Sequence, residues 1–137
     1  MAKFAPNSAC PCGSGRKYKK CCRRLHLGQA PDSAEALMRS RYTAYAVGLS
    51  DYILDTTHPD SPHASPDRAA WRADVARFSA STEFERLEVT AHEPGDAQAH
   101  VTFTAHLRQG GEPVTMTERS RFLKVDGRWR YLAATPA

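Results

Sequence analysis

No run of eighteen apolar residues occurs in this 137-residue chain, so nothing in it reads as a membrane-spanning helix. Cysteine is missing beyond position 22, and acidic residues are missing before Asp32. The opening Met1-Ala2-Lys3-Phe4-Ala5-Pro6 lacks the apolar stretch of a signal peptide, which predicts a cytoplasmic protein in a reducing compartment. Neither a Ser-His-Asp order nor a phosphate-binding loop stands out, so triad hydrolysis and nucleotide chemistry have no motif to rest on. Repeats and low-complexity tracts are missing too, which argues against solenoids.

What is present is unevenly placed. All four cysteines fall within thirteen residues, as Cys10-Pro-Cys12-Gly-Ser-Gly-Arg-Lys-Tyr-Lys-Lys-Cys21-Cys22. Four thiolates are what a closed tetrahedral zinc site requires, and the Gly-Ser-Gly lets the chain turn so that both pairs face one point. Zn2+ is therefore the expected cofactor, held by Cys10, Cys12, Cys21 and Cys22. An iron–sulfur or redox-active thiol site and a pair of disulfides are the competing readings. Adjacent cysteines bridge one another only with strain, and clustered cysteines in a reducing compartment are more often metal ligands. His26 is a weaker ligand candidate, and otherwise a solvated loop histidine.

Charge is segregated in the same way. Seven of the nineteen basic residues lie before Ala30: Lys3, Arg16, Lys17, Lys19, Lys20, Arg23 and Arg24. The rest of the chain has twelve basic against fifteen acidic residues, so a basic knob of net +7 precedes a body of net −3. Some of these cations would offset the negative charge of a metal–thiolate centre. Seven exceed what one site needs. The surplus, on Arg16, Lys17, Lys19, Lys20, Arg23 and Arg24, predicts a docking surface for an acidic protein, a ribosome or nucleic acid.

The organisation follows from length and breakers. Residues 1–27 form the knob, too small for a core of its own and dependent on metal to fold. Gly28 to Asp32 reads as a linker, and residues 33–137 as one domain. Removing the metal is accordingly expected to melt the knob and spare the body. In the body, Ser33 or Asp32 caps a helix through Val47, with Leu37, Met38, Arg41, Tyr42 and Tyr45 at helical spacing. A short helix covers Asp51 to Thr57, and a third runs from Asp67 to Ser79 after a proline-rich loop. From Ser81 the pattern alternates. Leu87, Val89 and Ala91 make one strand and Val101, Phe103, Ala105 and Leu107 a second. Val114, Met116, Glu118, Ser120 and Phe122 make a third, and Asp126-Gly127 turns into a strand with Trp129 and Tyr131. Helices before a hairpin-linked sheet make an α+β fold in which a curved antiparallel sheet wraps the helices and leaves a conical cavity. The polar outer face, with Thr102, Thr104, His106 and Arg108, argues for a monomer.

These residues carry a resemblance. Cys10-Pro-Cys12-Gly-Ser-Gly-x-Lys-Tyr-x-x-Cys21-Cys22 resembles the SEC-C motif, the zinc knob of the SecA translocation ATPase, although the last ligand there is often histidine. Leu37 to Tyr45, Thr57-His58-Pro59 and Glu118 to Phe122 resemble the YchJ family of small bacterial proteins. The resemblance implies a nuclear-transport-factor-2-like (cystatin-like) cone of three helices on the sheet. Docking to a chaperone or ribosome is implied only by analogy with the ATPase.

Two functions are open at this level: docking through the zinc knob, or an enzyme or small-molecule binder using the cone. The candidate cavity lining is Arg41, Tyr45, His58, Trp71, Glu118 and Ser120. Alternation turns Glu118 inward, where it is either a general base or the ion-pair partner of Arg41 or another helix arginine; the ion pair is the expected reading.

Overall fold

The computed structural model describes residues 5–135. The element order is a 3-10 turn at Tyr18–Lys20, then α1 (Cys22–His26), α2 (Ala34–Val47), α3 (Ser50–Asp55), α4 (Arg68–Ala80), β1 (Thr82–Glu93), β2 (Gln98–Gln109), β3 (Glu112–Val125) and β4 (Arg128–Thr135). The local signals act as their chemistry dictates. Ser33 Oγ accepts the Ala36 amide at 3.0 Å to open α2, and Gly48, at φ 80°, closes it in the left-handed region that glycine enters without a Cβ clash. Asp67 caps α4 by accepting the Ala70 amide. Asp126 and Gly127 both have positive φ, as a two-residue hairpin turn with the sheet's twist requires.

The four strands form one antiparallel meander in the order β1-β2-β3-β4. Opposite residues in antiparallel strands share a face, and Phe103 pairs with Glu118, Val101 with Ser120 and Ala105 with Met116. The inward phase of Glu118 and Ser120 is thereby confirmed. Two register shifts in β1, between Phe84 and Arg86 and between Val89 and Ala91, bend the strand as bulges do. The second takes Ala91 out of phase. It is exposed, where simple alternation from Leu87 would have turned it inward. A third shift lies between Arg121 and Phe122 against β4. The sheet therefore curves around α2 and α4, which gives the α+β cone anticipated from the element order. At the free edge of β4, Thr57 forms a parallel bridge to Tyr131, so the end of α3 is stitched to the sheet.

The knob packs against the body instead of standing apart from it. Cys10, Cys12, Tyr18, Cys21 and Cys22 pack in the same buried cluster as Leu37, Met38, Leu87, Val101 and Phe122. Gly13, at φ 79°, lies so close to β1 that a Cβ there would meet the Leu87 carbonyl oxygen at 3.3 Å. With this packing the knob is no longer expected to melt alone. A basic, cysteine-rich composition marks a metal site but does not reveal which surface the site lies against. Lys3 lies outside the described residues. No helix of the described chain is long and apolar enough to cross a membrane.

Candidate metal centre and cavity

The four cysteines are buried, and none is in a disulfide. Their Sγ atoms all lie within 4.8 Å of one another. Cys12 and Cys21 are 3.6 Å apart and Cys21 and Cys22 4.0 Å. A tetrahedral ion with arms of about 2.3 Å has ligand–ligand edges of roughly 3.8 Å, so the cluster fits one metal ion without rearrangement. The thiols share protons unevenly. Hydrogen bonding from Cys12 and Cys22, outweighing burial, pulls Cys10 down towards thiolate. The opposite side of the same contact pushes Cys12 up to about 11, and Cys22 rises as well, through Cys10, Cys12 and burial. A bound metal ion would resolve that competition, because coordination deprotonates thiols.

Donors around the sulfurs support the set. Ser14 Oγ lies 3.1 Å from Cys21 Sγ, and Thr43 Oγ1 of α2 lies 3.7 Å from Cys10 Sγ. Arg16 Nη2 approaches Cys21 Sγ at 3.9 Å. Arg39, also on α2, donates to the Cys12 carbonyl at 2.7 Å. His26 is neither a ligand nor a solvated loop residue. Its Nε2 lies 2.8 Å from the Ser40 carbonyl oxygen, and its Nδ1 lies 2.8 Å from Tyr18 Oη. A carbonyl only accepts, so Nε2 carries the proton and Tyr18 donates to Nδ1. The ring also stands edge-on to Tyr52 at 4.7 Å. Burial lowers its pKa, so the ring is a neutral strut between knob and α2.

The cone encloses a cavity of about 470 Å³. Of the six lining candidates, Arg41, Tyr45, Trp71, Glu118 and Ser120 do line it, and His58 does not. The His58 amide donates to the Tyr131 carbonyl, and its Nδ1 accepts the Asp60 amide at 3.0 Å, so this residue builds a turn. His63, five residues on, lines the cavity instead and tilts against Tyr131 with centroids 6.0 Å apart. The Thr57-His58-Pro59 motif drew attention to the wrong histidine of the loop. Eight aromatic side chains contribute to the wall. Tyr45, Phe78 and Phe84 meet edge-to-face or stacked at 5.5–6.5 Å.

The ion pair between Glu118 and Arg41 is not formed. Arg41 is buried, and its Nη1 donates to the Ile53 carbonyl and to the Thr56 and Thr57 hydroxyls at 2.8–3.1 Å. Its guanidinium lies 4.6 Å from the centre of the Tyr131 ring, a cation–π contact. Glu118 Oε2 instead accepts from Ser120 Oγ at 2.5 Å and Tyr131 Oη at 3.0 Å. Tyr131 thus touches both groups, the cation with its ring face and the anion with its hydroxyl. Its phenol is raised, by burial first and then by the Glu118 charge, and stays a donor. The orphan carbonyl at the end of α3 meets the cation in place of a carboxylate, a partner that charge patterning does not reveal.

The model described as YchJ, middle NTF2-like domain, matches residues 33–134, and the SEC-C motif model matches residues 7–24. A UPF0225 protein of Deinococcus radiodurans is 43% identical over 134 residues, covering 96% of this chain and 92% of its own. The solution structure of a SEC-C motif containing protein from Rhodopseudomonas palustris superposes with a TM-score of 0.81 at 34% identity, over 95% of this chain and 99% of that one. A SEC-C motif containing protein from Psychrobacter arcticus superposes at 0.76 and 25% identity, over 96% and 85%.

Proposed function

This chain belongs to the YchJ family, and we propose that it is a zinc protein whose basic knob docks on a phosphate-bearing partner, ribosomal or other nucleic acid. The metal part of the reading rests on the four buried thiols with one-ion spacing. Zinc is the ion that such a closed, all-thiolate, single-ion site suits, and four protein ligands leave no open position for catalysis. A multi-iron cluster would hold its thiolates farther apart. Cys10, Cys12, Cys21 and Cys22 would hold the ion, and its role there is structural.

One observation carries the docking reading. Arg16, Lys17, Lys19, Lys20, Arg23 and Arg24 are all exposed, and none is ion-paired with a carboxylate among the described residues. Only Arg16 reaches a sulfur. Offsetting the thiolates therefore accounts for one of the six, and five cations face solvent beside a buried metal site. Exposed, unpaired cations concentrated in one short segment are the footprint of a polyanion surface.

The test uses the zinc-loaded full chain and a labelled poly(uridylate) RNA. Binding should weaken steeply with salt, with a slope of about −0.7 per phosphate neutralised. Replacing Lys17, Lys19, Lys20, Arg23 and Arg24 by glutamine should lower affinity and slope together. Salt-insensitive binding that survives those substitutions overturns the reading. Loss of RNA binding with retention of an acidic protein partner would redirect it to protein.

A further inference from the structure

We propose that the cone binds a small carboxylic acid with an aromatic or comparably flat apolar body, its carboxylate seated on the free edge of Arg41. Arg41 presents five N–H groups in a fixed fork, and only Nη1 is occupied. Nε and Nη2 have no acceptor among the described residues. They are not sealed in either, because the enclosed, unpartnered side-chain polar atoms of the described chain are Tyr42 Oη and Ser79 Oγ. Arg41 lines the cavity, and this edge is the part of its fork left for an occupant. Nε–H and Nη2–H lie side by side on that edge, the geometry that receives both oxygens of a carboxylate.

The energetics favour an anion there. Arg41 is 7% exposed and belongs to no ion pair among the described residues. A desolvated guanidinium held only by neutral acceptors and an aromatic face lacks the counter-charge that would offset its burial. Glu118 supplies it only at a distance: the two form no ion pair, and the carboxylate's Oε2 accepts from Tyr131 and Ser120 instead. The remaining wall favours an apolar body. Tyr45, Phe78 and Phe84 present edges and faces that accept a flat ring, and 470 Å³ is in the range of small-ligand sites. The like charge of Glu118 limits affinity for a simple acid. It would favour a ligand that also offers it a hydroxyl or amine donor.

The probes are 2-naphthoate and its neutral isostere 2-naphthamide, titrated into the full chain and followed by amide NMR shifts. Naphthoate should saturate with shifts centred on Arg41, Tyr131 and the inward residues of β3, and bind roughly tenfold more tightly than the amide, because a charge-assisted fork is stronger than a neutral contact. Glu118→Gln removes a like charge and should tighten naphthoate several-fold while leaving the amide within about twofold. Arg41→Lys keeps the charge but not the fork and should erase the preference. Should that variant fail to fold, the two probes on the parent chain and on Glu118→Gln still decide. Equal affinities for acid and amide, shifts confined to the knob, or no saturable shift would each overturn the proposal. None of these readouts depends on the basic face, so failure here is separable from failure of RNA docking.

Discussion

Tyr42 carries a hydroxyl that the fold encloses without a hydrogen-bond partner, while its ring packs edge-on against Phe84 at 5.6 Å. Burial pushes its pKa up to about 12, so it stays neutral, and an orphaned neutral hydroxyl is a pure cost. Tyr42→Phe should therefore stabilise the protein by about 1 kcal/mol, seen as a raised urea midpoint at unchanged slope. An unchanged or lowered midpoint would mean that the hydroxyl has found a partner. His26 makes a second prediction. Its pKa lies below the ordinary histidine value because of burial, so the folded state binds fewer protons than the unfolded one as pH falls through about 6.5. The strut is intact above that pH and weakens below it. The His26 ring should titrate by NMR with a midpoint under 6.5, and a midpoint at or above it would contradict the buried, neutral ring. At this scale the sequence was legible where chemistry is self-contained, as with four thiols. It was illegible where a partner comes from elsewhere in the fold. Nothing near Arg41 announces that the carbonyl of Ile53 and the hydroxyls of Thr56 and Thr57 will meet it, and so an ion pair with Glu118 looked the simpler solution.

Among the elements, α2 does most to organise the molecule. Arg39, Ser40 and Thr43 face the knob, while Met38, Arg41, Tyr42 and Tyr45 face the cavity, so opposite sides of one helix serve the two sites. Its start depends on one hydroxyl. Ser33→Ala should cost about 1 kcal/mol of stability, measured by denaturant unfolding, because the Ala36 amide loses its acceptor. A cost near zero would show that water serves as well. Helices and strands were readable because caps, breakers and periodicity are local. The two β1 bulges were not, since a bulge is a bargain between a strand and its neighbour, and it turned Ala91 outward against its alternation.

The described residues have one principal core, in which the four candidate ligand cysteines and domain side chains are neighbours. Chelation should accordingly destabilise all of it. Amide exchange should accelerate in α2, at Leu37 and Thr43, together with the knob, because binding to the folded state alone stabilises everything that folds with it. Faster exchange confined to residues 5–27 would show two independent parts. The two faces of α2 have a thermodynamic corollary. Suppose an occupant of the cone shifts the helix, even slightly, towards or away from Cys10 and Cys12. The metal's dissociation constant must then change by the same factor by which the metal changes the occupant's. Zinc titrations run with and without naphthoate would measure that factor, and the cell's free metal level would become a setting for what the cone retains.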